Sequence, residues 1–155
     1  MQAGFTDKTI RMLLDSEDEI FASAVEVDHL YRTLSESINF EPLILTVKLY
    51  SRFGSTGYTA EQGFKSLLLQ FWEDLSDREM ERGLKENFAF RWFCGFGVKD
   101  VTPDHSYFGR LRDRIGTKRM ADLFNQVNGQ LRDKDLFGDT FTFIDSSMLI
   151  AKVSL

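Results

Sequence analysis

Cysteine is nearly missing from this chain: Cys94 is the single one among 155 residues. An internal disulfide is therefore excluded, and the usage fits a reducing compartment. Proline is almost as scarce, with only Pro42 and Pro103 to interrupt the helical pattern. No apolar run approaches the roughly 18–20 residues that a membrane helix needs. The first residues carry Asp7, Lys8 and Arg11, then acids between Asp15 and Glu19, which is not a signal peptide. Internal repeats and low-complexity tracts are absent. Gly95-Phe-Gly97 lacks the further glycine and the preceding strand of a phosphate-binding loop. His29 and His105 lack ligand partners at metal-binding spacing. These absences exclude an internal disulfide scaffold and leave no segment for a membrane helix, and the expected location is cytoplasmic.

What is present is apolar and aromatic. Hydrophobic residues make up 43% of the chain, with fifteen Phe and two Trp. That is enough to build a real core. The formal net charge is −5, against a chain-wide affinity for nucleic acid. The charge is unevenly spread. Acid gathers early (Asp15, Glu17, Asp18, Glu19, Glu26, Asp28), whereas Arg110, Arg112, Arg114, Lys118 and Arg119 gather late, opposed by Asp113. Charge alone favours a solvated helix face. The sharper alternative is a local seat for phosphates.

Apolar spacing predicts helices along most of the chain. Residues 18–34 repeat Ile20, Phe21, Ala24, Val27, Leu30, Tyr31 and Leu34 at helical intervals. A second helix is expected over 40–50, with Leu43, Val47 and Tyr50 on one side. Residues 51–58 read as a Gly/Ser loop. Thr59-Ala-Glu-Gln62 and Ser76-Asp-Arg-Glu79 are successive capping boxes. They predict two helices meeting at a corner, burying Phe64, Leu67, Leu68, Phe71 and Trp72, then Met80 and Leu84. Residues 87–97 are rich in aromatics. They read as core rather than as a base-stacking platform, because Arg91 is the one basic residue among them. Gly95 and Gly97 should end that segment. Pro103 suits a helical first turn, and Asp104 or Ser106 can cap it. Two more helices follow, divided by Gly116. One buries Phe108, Leu111 and Ile115; the other, over 117–134, buries Met120, Leu123, Phe124, Val127 and Leu131.

Residues 139–145 alternate as a strand. A lone strand cannot satisfy its own backbone, so it needs an edge of another sheet. Its end carries Asp145. A carboxylate there can help hold a divalent metal, although one acid alone binds magnesium too weakly to act. Spacing by itself leaves Asp145 a turn residue.

Several separate blocks carry a resemblance. They are Phe64-Lys-Ser-Leu-Leu-Leu-Gln-Phe-Trp72, Leu75-Ser-Asp-Arg-Glu-Met80, Asn87-Phe-Ala-Phe-Arg-Trp-Phe-Cys-Gly95, Pro103-Asp-His-Ser-Tyr-Phe108 and Arg110-Leu-Arg-Asp-Arg114. Val27-Asp-His-Leu-Tyr-Arg32 and Ile38-Asn-Phe40 precede them. In this order they resemble bacterial insertion-sequence transposases of the DDE class, nearest to the insertion-sequence-five family, over about residues 20–152. Ile144-Asp145-Ser146-Ser147, with Ala151 beyond, resembles the motif of the family's first catalytic acid, with Ser147 where Thr is usual.

The resemblance implies a mainly α fold. A multi-helix N-terminal domain over 18–138, after a loosely ordered 1–17, would end in one β-strand. That strand, within 139–155, would open a truncated ribonuclease-H-like α/β domain. DNA would be the partner, through terminal inverted repeats. The expected contacts are Arg110, Arg112, Arg114, Lys118 and Arg119, with Arg91 as a further one. Mg2+ or Mn2+ is implied for the complete enzyme, with Asp145 a ligand only if the other two acids are supplied. This chain alone is expected to be inactive and to need no metal. The remaining transposase domain or a second copy is a further possible partner. The alternative is a helical protein-interaction module without DNA affinity.

Overall fold

The computed structural model describes residues 19–51 and 57–134. The loop centre at 52–56, the N-terminal stretch and the expected strand with Asp145 lie outside the described residues. Among the described residues there are eight helices and no strand. They are α1 (19–24), α2 (Leu30–Ser37), α3 (Glu41–Ser51), α4 (Ala60–Trp72), α5 (Asp77–Glu86), α6 (Phe88–Cys94), α7 (His105–Ile115) and α8 (Thr117–Asp133).

The expected helix over 18–34 is two helices. Its periodicity misleads because a side chain and a cap close the break. His29 accepts the Tyr31 amide at Nδ1, 3.0 Å, and starts α2. Arg32 then donates to the carbonyls of Val25 and Glu26, satisfying backbone groups that the end of α1 leaves open. Its guanidinium also lies over the Trp92 ring, 4.7 Å from the centroid. Val27, expected inward, is 89% exposed, and Leu30 and Ile20 are exposed as well. Val25, which the pattern passed over, is fully buried.

α4 is the centre of the bundle. Its residues from Gly63 to Gln70 are all buried, because α3, α5, α6 and α7 pack around it. A helix covered on every side must settle its polar groups internally. Ser66 donates to the Gln62 carbonyl. Lys65 pairs with Glu61 at 2.9 Å, one turn away, and its ammonium sits over the Phe40 ring. Phe64, Phe93, Phe108, Leu68, Met80 and Leu84 are among the side chains closed around this axis.

The local punctuation forms as the sequence predicts. Both capping boxes are reciprocal, Thr59 with Gln62 and Ser76 with Glu79. Gly95 ends α6 in the left-handed region, φ 83°. The aromatic segment is mostly core: Phe90, Phe93 and Phe96 are buried, while Phe88 is exposed. Cys94 is fully buried; burial pushes its thiol up to about 12, so it behaves as a small apolar residue. Asp104 is the cap of α7, accepting from the Ser106 and Tyr107 amides. Pro103 therefore stands one residue before the cap rather than in the first turn.

Gly83 allows α5 and α6 to touch. A Cβ at this position would lie 2.5 Å from a Phe90 ring carbon, well inside contact distance.

Candidate nucleic-acid interface

The late basic run is divided by the fold. α7 ends and α8 begins at a single residue, Gly116, whose φ of 90° and ψ of 146° serve as the end of one helix and the start of the next. A φ of that sign strains any side-chain-bearing residue. The one-residue corner puts Arg114 in the last turn of α7 and Lys118 and Arg119 in the first turn of α8. Arg110 stands one turn earlier on α7. All four are exposed.

Arg112 is engaged inside the fold. Its guanidinium grips the Asp77 carboxylate in a fork, with Nη1 and Nη2 each 2.9 Å from an oxygen. Nη1 also donates to the Gln70 side-chain oxygen at 3.2 Å. Gln70 in turn donates to Asp77 and to the Leu75 carbonyl. This node ties α4, the start of α5 and α7 together at the corner that the two capping boxes announce. Burial alone would push the Asp77 carboxyl up, but hydrogen bonds from Arg112 and Gln70 outweigh it and hold the carboxyl below its usual range. Arg91 is likewise engaged inside the fold. It donates to the carbonyls of Gly97 and Asp100 and holds the turn after α6.

The start of α8 adds a partial positive charge at this corner. α8 is a 17-residue helix whose start has no side-chain cap and no acid in its first turn. The starts of α2, α4, α5, α6 and α7 all have side-chain caps. The open amides and the positive end of the helix dipole add to Lys118 and Arg119.

A groove of about 600 Å³ opens here between α3 and the corner. It is lined by Thr46, Tyr50, Thr117, Lys118, Arg119 and Gln126 among others, with Asp122 the one acid. The Arg119 guanidinium lies 3.9 Å from the centroid of the Tyr50 ring and donates to the Ile115 carbonyl at 3.2 Å. Sequence reading missed Tyr50 as a site residue. It stands three positions after buried Val47, where the helical pattern predicts an inward side chain, yet it is 44% exposed.

Asp145 lies outside the described residues. Among those described, no group of three or more His, Cys, Asp or Glu is placed to hold a metal ion. None of their helices is long and apolar enough to cross a membrane. His105 serves the start of α7, with its amide donating to Glu81 at 3.0 Å and its ring 3.4 Å from the same carboxylate.

The class these features define is a helical-bundle domain with a buried central helix and one cationic corner. Residues 19–114 match the family model described as Transposase domain (DUF772), and the chain belongs to that family. The matched region ends at Arg114, so α1 to α7 lie within it almost entirely and α8, with Lys118 and Arg119, lies beyond. No curated protein and no solved structure matches the chain.

Proposed function

We propose that this chain is the helical, DNA-binding region of a DDE-class transposase of the insertion-sequence-five family. Its α7–α8 corner contacts the phosphates of element-end DNA. The observation that carries this reading is the exposure of Arg110, Arg114, Lys118 and Arg119 on the two helices that meet at Gly116, beside an uncapped helix start. Among the described residues, Arg110, Arg114 and Lys118 have no ion-pair partner, so their charge is available to an anion. The net charge of −5 makes such a contact local and strongly salt-dependent.

The test is binding of the 155-residue chain to labelled duplex DNA across a salt series. Changing the four cations to Gln should weaken binding. It should also flatten the plot of log affinity against log salt, by about 0.9 for each phosphate that is no longer neutralised. Unchanged affinity would place the DNA surface elsewhere. Arg112 and Arg91, held by intramolecular partners, contribute to the fold rather than to this slope.

In this reading Asp145 is the first acid of a metal-binding triad, with Mg2+ or Mn2+ supplying water activation once the other acids are present. The chain by itself is inactive. A metal-dependent nick by the purified chain, abolished in Asp145→Ala, would overturn that.

One observation favours a second reading. Leu45 and Leu49 stand one turn apart on α3 at 58% and 71% exposed, an apolar strip that a protein partner such as the remaining transposase could cover. A pure interaction module would not be retained on heparin or DNA resin at low salt.

A further inference from the structure

The basic run lies wholly on α7 and α8, but the groove beside it has a second wall. That wall is the C-terminal half of α3, far earlier in the chain, and it contributes Thr46 and Tyr50. Tyr50 offers its ring face to the Arg119 guanidinium at 3.9 Å. The Ile115 carbonyl takes one of that guanidinium's five N–H groups. Arg119 is thus held at two points and keeps donors to spare. An exposed arginine ordinarily loses much rotamer freedom when it meets a phosphate. One already stacked on an aromatic face has given up part of that freedom before binding.

We infer that Tyr50 is a positioning residue for a DNA phosphate contact made by Arg119, and that α3 forms one wall of the groove that seats the strand. This rests on the DNA reading above and extends it to a helix without any arginine. Tyr50 acts through its ring face, so Phe and Trp can replace it, whereas Ala and Leu cannot.

A double-mutant cycle on duplex binding tests it. Tyr50→Ala should weaken affinity about threefold, the scale of ordering one rotamer-rich side chain on binding. Tyr50→Phe should bind as the unaltered chain does. In an Arg119→Ala background, Tyr50→Ala should have no further effect. Helical circular dichroism should be unchanged and the urea midpoint should fall only slightly, because Tyr50 is nearly half exposed and gives up one surface cation–π contact. Equal reductions in both backgrounds, or full affinity in Tyr50→Ala while Arg119→Ala is weakened, would overturn the positioning role alone. If the fourfold Gln variant of the proposed-function test also binds normally, the DNA reading falls as well, and the two failures are told apart.

Discussion

Arg112 and Arg114 are two residues apart in the last turn of α7, and the fold uses them in opposite ways. Arg112 faces the α4–α5 corner, where its side chain is 20% exposed and bonded to Asp77 and Gln70. Arg114 is exposed to solvent in the last turn of α7, next to the α7–α8 corner. One corner is closed by neutralised charge and holds the bundle. The other leaves Arg114, Lys118 and Arg119 exposed and, among the described residues, without an ion-pair partner, with Asp113 beside them in the chain and Asp122 in the adjoining groove. A count of basic residues along the sequence cannot tell these roles apart, because the partners that decide it are 35 and 42 positions away.

The contrast breaks most severely inside the closed region. Gly83→Leu would force a side chain into the Phe90 ring and should cost about 3 kcal/mol of unfolding free energy, near the top of the usual overpacking range. A urea midpoint unchanged from the parent would contradict the close approach of α5 and α6. Arg112→Ala comes next. It leaves Asp77 and Gln70 short of a donor and should cost about 1–2 kcal/mol, moderated because the Asp77 carboxylate is a third exposed. Its DNA salt slope should match that of the parent. A flattened slope would make Arg112 a phosphate contact after all.

Acid should expose the same node. The Asp77 carboxyl is lowered in the fold, so the unfolded chain binds its proton first. The stabilisation from this group is fully present above the unfolded value of about 3.9 and is lost as pH falls through the lower folded value. Urea midpoints measured from pH 6 down to 3 should fall less steeply for Arg112→Ala than for the parent. Parallel curves would mean that the ion pair is not the cause. The smallest stability effect belongs to the open corner. Replacing Arg110, Arg114 or Lys118 singly with Gln should move stability by no more than about 0.5 kcal/mol. A larger drop for any of them would place that side chain in the fold instead.

Much of the bundle was legible because its signals are local. Thr59 with Gln62, Ser76 with Glu79, and Gly95 each act within one turn, so their residue types alone predict the helix ends. The stripe from Met120 to Leu131 and the burial of Phe108, Leu111 and Ile115 follow from helical periodicity. The break between α1 and α2 was not legible. Val27 and Leu30 keep the periodicity of a continuing helix, but Arg32 and His29 make competing bonds to the backbone, and these win. At the site, the four exposed cations were visible as a run. The intramolecular partners of Arg112 and Arg91, and the stacking of Tyr50 on Arg119, were not.

The sequence by itself determined that this is a helical chain with an aromatic core, where most of its helices start and stop, and that its cations gather late. These properties depend on neighbours a few residues apart and on side-chain type. Only the tertiary structure decided which arginines are consumed in holding the bundle and which remain open, and that a tyrosine on α3 stacks on Arg119. Those outcomes need helices distant in sequence to meet, and the packing around α4 sets where they meet.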